Sequence, residues 1–292
     1  MEIVINNLCK NYRKKKALEN VSITIRSGMY GLLGRNGAGK TSLMRILATL
    51  SVPSSGEVSI NGIPIKDVSK IREIVGYLPQ DFSFYKSMSV YDAMDYLGLL
   101  SNIPDKVRKE RILTLLERVN LKENVKTKVR ALSGGMKRRL GIAQALLHNP
   151  QILIVDEPTA GLDPEERIRF RNLLSDFADD RIVLLSTHIA SDIESTCDGV
   201  AVLNEGRLIF HGSTGELIQQ AEGKVWLITA SKEMGRHIKD KCVCLNMSNT
   251  GTGVQYRILS DTPPKEKGVI QSPALEDGYM YLLHQMEGGV CS

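Results

Sequence analysis

The stretch GLLGRNGAGKTSLMRILATL, Gly31 to Leu50, decides the reading of this chain. An apolar run ends in glycines, a lysine and a threonine follow, and an amphipathic helix is predicted over 42–50. Gly34, Asn36, Gly37, Ala38, Gly39, Lys40, Thr41 and Ser42 form the phosphate-binding loop pattern in its required context, a strand before and a helix after. Glycines let the backbone curl so that successive N–H groups approach an anion, and the helix start adds its positive end. Lys40 is expected to reach β- and γ-phosphates, and the Thr41 hydroxyl to ligate Mg²⁺.

A phosphate cradle accounts for binding, whereas hydrolysis also needs a metal anchor and a group that orients water. The segment ILIVDEP, 152–158, offers both at the end of an apolar strand. Asp156 is placed to hold Mg²⁺ and Glu157 to polarise the attacking water; the plainer alternative is an acidic strand end capping the next helix. In LSGGMKRR, 132–139, Ser133, Gly134 and Gly135 open an amphipathic helix and form a second anion site, while Ser133 is equally suited to be a simple N-cap.

Working outward, residues 3–9 and 21–25 alternate like strands, PSSGEVSINGIPI reads as a turn and short hairpin, and REIVGYLPQD reads as a buried strand ending near Gln80. From about 85 to 149 the period becomes helical, as in SVYDAMDYLGLLSNI and DKVRKERILTLLERVN. Continuous apolar runs return in QILIVDEP and RIVLLSTH with a helix over about 164–178 between them, the pattern of parallel strands joined by a right-handed crossover. A hairpin, DGVAVLNEGRLIFHGS, and a helical turn at 216–221 follow. A smaller unit then has strands near 224–229, 242–246 and 254–259, the loop SDTPPKEKG and a final helix. The expected division is therefore 1–222 and 223–292.

With 292 residues, 42% hydrophobic and 24% charged, the chain has the composition of an ordinary globular protein. Its apolar runs fall far short of the roughly 18–20 residues of a membrane-spanning helix. MEIVINNLCKNY lacks a long apolar signal region and Cys291 is misplaced for prenylation, so a cytoplasmic protein with reduced thiols is expected. Cys242 and Cys244 would share one strand face, as small apolar residues or as a metal or redox pair. The net charge of +5 is mild, and the run RKKK at 13–16 is read first as a solvated turn, with contact to phosphates or anionic lipid as the alternative.

Two phosphate-binding helix starts and the acidic strand end, in this order, make residues 1–220 resemble the nucleotide-binding subunit of ATP-binding cassette (ABC) transporters. The resemblance implies an α/β P-loop NTPase fold, an ABC cassette with a mixed-sheet core and an inserted helical subdomain. It implies ATP and Mg²⁺ as ligands, and a head-to-tail dimer with a second nucleotide-binding subunit in which Ser133, Gly134 and Gly135 face the phosphate loop of the opposite copy. By the same resemblance Tyr12 stacks on adenine, although a lone tyrosine here could equally be core. Gln80 senses Mg²⁺ and the γ-phosphate, Asp163 in AGLDPEE contacts the opposite subunit, and His188 touches the γ-phosphate. Asp163 also makes a good N-cap, with Pro164 and Glu166 after it. Met136 and Arg35 depart from the commonest family pattern without removing a reacting group.

The last 70 or so residues resemble the α+β extension of bacterial drug, bacteriocin and antibiotic-immunity exporter ATPases. The implied function is the ATP-hydrolysing motor of an exporter on the cytoplasmic membrane face, with separate transmembrane permease subunits received near 81–100. Uptake of a small compound is the alternative. A soluble ABC ATPase acting on nucleic acid or ribosomes is disfavoured, because the interval between Lys40 and Ser133 has no room for a long coiled coil and no aromatic-basic nucleic-acid motif is found.

Overall fold

The computed structural model describes residues 1–13, 15–159, 162–231, 234, 235, 238, 242–250, 253–264 and 268–287. Lys14 of the basic run, Ala160 and Gly161 before Asp163, residues 265–267 of the SDTPPKEKG loop, and Cys291 lie outside them. The chain forms two compact units, one of Met1–Asp192 with Thr196–His211, the other of Ile193–Ser195 with the residues from Gly212 on.

In the first unit β1 (Glu2–Tyr12) and β2 (Lys15–Arg26) pair antiparallel, with Ile3 opposite Ile25 and Tyr12 opposite Lys15. Both strands outrun the expected 3–9 and 21–25. Register shifts after Ile5 break the apolar alternation that a sequence pattern relies on. A second sheet has the order β10-β9-β3-β8-β7-β6, so the mixed-sheet core is built from two sheets. Here β3 is Gly28–Leu33, β6 Val75–Leu78, β7 Ile152–Asp156, β8 Ile182–Thr187, β9 Gly199–Asn204 and β10 Arg207–Ser213. Every residue of β7 and β8 is buried, as befits parallel strands covered on both faces.

The antiparallel sheet is completed by β4 (Ser55–Ile60) and β5 (Ile63–Pro64), in the order β2-β1-β4-β5. Its inner face, the helix α1 (Lys40–Leu47) and the parallel strands share one core cluster that includes Ile5, Leu18, Met44, Leu47, Ile60, Ile154, Leu184 and Leu203. Parallel pairing sets Leu33 beside Thr187, Asp156 beside Ser186 and Leu78 beside Val155. The carboxyl ends of β3, β6, β7 and β8 therefore emerge along one edge, where open α/β sheets collect ligands.

REIVGYLPQD is not strand throughout. α2 (Val68–Ile74) takes Arg72–Ile74, buries Ile71, and passes directly into β6. The β-branched residues at 74 and 75 hid this junction from a propensity argument. The helical region holds α3 (Val90–Leu100), α4 (Asp105–Arg118) and α5 (Gly134–Leu146). α3 opens with a reciprocal Ser89–Asp92 capping box, and Arg108 of α4 donates to Asp95 and to the Ile103 carbonyl. Between β7 and β8 lies α6 (Pro164–Ala178), followed after β8 by α7 (Ala190–Glu194).

In the second unit, β11 (Val225–Ala230), β12 (Val243–Thr250), β13 (Gly253–Leu259) and β14 (Gly268–Ile270) form an antiparallel sheet of order β12-β13-β11-β14. The short β14 was not expected. The sequence reading left the helix near 216–221 with the cassette, but α8 (Thr214–Gln219) belongs to this unit with α9 (Leu275–Glu287). Gly278 permits their contact, since a Cβ there would sit 2.0 Å from the Leu217 carbonyl oxygen. Cys242 precedes β12 and Cys244 lies within it, donating to the Asn246 carbonyl; both pack against the cluster of Ile228, Val254, Tyr256 and Ile258, as small apolar residues do. No described helix is long and apolar enough to cross a membrane.

Candidate functional site

β3 ends at Leu33, the loop runs from Gly34 to Gly39, and α1 starts at Lys40. Gly39 has φ +108°, and a Cβ on it would lie 2.5 Å from the Ala17 carbonyl oxygen, so two independent constraints demand glycine. The loop is held in shape by Ala38 N–H donating to Arg35 O at 3.1 Å and by Gly206 N–H donating to Ala38 O at 2.9 Å. Among the described residues no side chain caps α1 and its first turn carries no acid. The positive helix end is thus left to the solvent side of the loop, ready for an anion.

Lys40 is buried. Its Nζ donates to Gly34 O at 2.7 Å and to Arg35 O at 3.3 Å, and lies 3.6 Å from Glu157 Oε1. Burial pushes its ammonium below the ordinary lysine range, while the Glu157 and Asp156 carboxylates pull it back. Asp156 is fully buried at the end of β7; Ser186 Oγ donates to its Oδ1, and its Oδ2 has no hydrogen-bond partner among the described residues. A buried carboxylate with one bare oxygen is costly unless a cation neutralises it, so the donor set at this strand end fits a hard divalent metal.

Glu157 stands at φ +45°, in the left-handed region that a non-glycine residue enters at a cost of about 1–3 kcal/mol. Its N–H donates to Ser186 Oγ at 3.0 Å, which fixes the turn from β8. The carboxylate then faces Lys40 and, at 3.4 Å, Nδ1 of the exposed His188. Beyond it, Thr159 Oγ1 donates to the buried Asp192 at 2.7 Å, tying the chain after Glu157 to the helix after His188.

Tyr12, Asn36, Gly37, Gly39, Lys40, Thr41, Ser42, Gln80 and Glu157 line one cavity of about 310 Å³. Gly34 and Ala38 shape the loop from behind, Asp156 lies beneath Glu157, and His188 reaches Glu157 from the end of β8. The Tyr12 ring is half-exposed, with its hydroxyl 3.5 Å from Ser51 Oγ and Lys10 Nζ 4.8 Å from its centre. A larger groove of about 760 Å³, bordered by Val4, Thr49, Glu57 and Lys66, contains none of the residues singled out from sequence.

Ser133, Gly134, Gly135 and Asp163 are not on the cavity wall. Ser133 caps α5, accepting from Met136 N–H at 3.1 Å, and together with Gly134 is exposed. Asp163 caps α6, accepting from Glu166 N–H at 2.9 Å with Pro164 next to it. Four residues at the site are not among those singled out from sequence. Lys15 and Ala17 join the cavity because β2 is longer than expected. Ser186 lies inside an apolar strand. Arg138, in the middle of LSGGMKRR, reaches from α5 to donate to Gln80 O at 2.6 Å, to Pro158 O at 2.9 Å and to Glu157 O.

Residues 18–160 match the family described as ABC transporter. The chain is 37% identical over 238 residues to an uncharacterized ABC transporter ATP-binding protein of Bacillus subtilis (strain 168), covering 81% of this chain and 79% of that protein. To a probable multidrug ABC transporter ATP-binding protein of Escherichia coli (strain K12) it is 32% identical over 299 residues, covering 96% of this chain and 52% of that protein. The solved structure of cbiO1 from Clostridium perfringens, part of the ABC transporter complex cbiONQ, superposes with a TM-score of 0.68 at 28% identity, covering 81% of this chain and 94% of that one.

Proposed function

The chain belongs to the ABC transporter family as an ATP-binding ATPase subunit, and we propose that it is the motor of an exporter in which two such subunits close on ATP and pull on separate transmembrane permease subunits. The observation that carries the reading is the single cavity joining the uncapped start of α1, Lys40, Gln80 and Glu157, with the bare oxygen of Asp156 beneath it. In this reading the compact unit that ends at His211 is the nucleotide-binding domain, with a helical subdomain at about 85–149, and the unit from Gly212 on is an accessory domain. The subunit works at the cytoplasmic membrane face.

The geometry supports a role for each residue. Tyr12 offers its ring to the adenine, and the N–H groups of Gly37 to Ser42 with Lys40 hold the β- and γ-phosphates. Glu157 takes the proton of the attacking water, and His188, 3.4 Å away, orients that carboxylate and meets the γ-phosphate. Thr41, Asp156 and Gln80 would hold Mg²⁺, which when bound neutralises charge on the phosphates. Ser133 and Gly134, both exposed, complete the site of an opposite copy together with Gly135 and Asp163. Export is supported by the relative named for multidrug transport, whose alignment spans 96% of this chain and so extends into the C-terminal unit.

Tagged protein purified from gently solubilised membranes should carry a polytopic membrane protein, altered in its retention by Glu157→Gln with ATP; ribosomes or nucleic acid in its place would overturn the transporter reading. The shared site predicts a complementation result. Ser133→Arg and Lys40→Ala subunits, each inactive alone, should recover turnover on mixing, because a mixed pair keeps one intact composite site. No recovery, or full activity of Ser133→Arg alone, would contradict the shared site.

A further inference from the structure

Adjacent arginines of LSGGMKRR go to different places. Arg139 donates to the carbonyls of Val119 and Asn120 and pairs with Glu166, all away from the cavity. Arg138 sends its guanidinium to three main-chain carbonyls that belong to two separate loops, Gln80 after β6 and Glu157 and Pro158 after β7. A planar fork of N–H donors can serve three such acceptors at once; a lysine ammonium on a flexible stem cannot hold the same spread of directions.

We propose that Arg138 is a positioning residue for the Glu157 carboxylate, acting as the joint through which the helix headed by Ser133 holds the Gln80 and Glu157 loops together. The turn at Glu157 is in the left-handed region and is pinned on both sides, by Ser186 at its N–H and by Arg138 at its own and the following carbonyl. Because the direction of the Cα–Cβ bond follows from the backbone angles, releasing the second pin lets the turn relax and carries the carboxylate away from Lys40 and His188. The same guanidinium makes Gln80 and Glu157 move as one with α5, so a shift of the helical region is felt at both.

The proposal rests on Glu157 acting as the base, and the test separates the two. ATP affinity and single-turnover hydrolysis are measured for full-length Arg138→Lys, Arg138→Met, Glu157→Gln and the Arg138→Lys/Glu157→Gln pair, with thermal unfolding as the check of folding. Should the Met variant not fold, the Lys variant, which keeps charge and stem, carries the test. Arg138→Lys is expected to slow hydrolysis roughly 10- to 100-fold with little change in ATP affinity. In the Glu157→Gln background it should cost far less, because the carboxylate it positions is already gone and only its hold on the Gln80 loop is left to lose. Hydrolysis at the wild-type rate in Arg138→Lys, or the same loss repeated in the Glu157→Gln background, would overturn the positioning role. Fast hydrolysis by Glu157→Gln alone would instead remove the base assignment, and this proposal with it.

Discussion

Glu157→Gln is expected to lower ATP turnover about 10²- to 10⁴-fold, the contribution of a positioned general base, while leaving ATP binding intact or tighter. The amide keeps the size of the side chain but cannot accept the proton of water at neutral pH. It also removes a negative charge that sits 3.6 Å from Lys40 Nζ, in the cavity proposed for the nucleotide's phosphates. Two consequences follow from that loss. Lys40 is freed from a competing carboxylate, and repulsion of the nucleotide falls, both of which favour the bound state. Binding without hydrolysis should then trap a closed pair of subunits. Size-exclusion chromatography with ATP checks the pair, and phosphate release checks the rate. Turnover close to wild type would mean that another group activates the water.

Lys40→Ala should instead abolish binding and turnover together. Nζ is buried and fixed by the Gly34 and Arg35 carbonyls, so its charge is already oriented before a ligand arrives. Removing one member of a buried charge-assisted contact costs about 2–5 kcal/mol, a factor of roughly 30 to several thousand in Kd. The fold should persist, because Lys40 contributes no apolar packing that Leu43, Met44, Ile46 and Leu47 of α1 do not supply. Isothermal titration with ATP beside a thermal melt distinguishes loss of the site from loss of the protein. Unchanged affinity in a folded variant would remove Lys40 from the phosphate site.

Much of the candidate site was legible from residue order because it is built from local signals. The glycine positions of 34–39, the run 152–156 ending in Asp156, and Asp163 before Pro164 each act over a few residues, and each coincides with a loop, strand end or helix cap. The strand at 15–20 was missed because Lys15, Lys16 and Asn20 are exposed and register shifts interrupt the alternation. α8 was assigned to the wrong unit because its partner, Gly278, lies far along the chain.

The sequence by itself determined that a strand, a phosphate-shaped loop and a helix stand together at residues 31–47, and that an acidic pair ends a buried strand, because backbone sterics and hydrophobic period are properties of neighbouring residues. Only the tertiary structure decided that Ser186 holds Asp156 and Glu157, that Asp156 keeps one bare oxygen, and that Arg138 rather than Arg139 reaches the loops after β6 and β7. Those facts depend on parallel strand register and on the direction a helix presents each side chain. Both are set by packing between segments far apart in sequence.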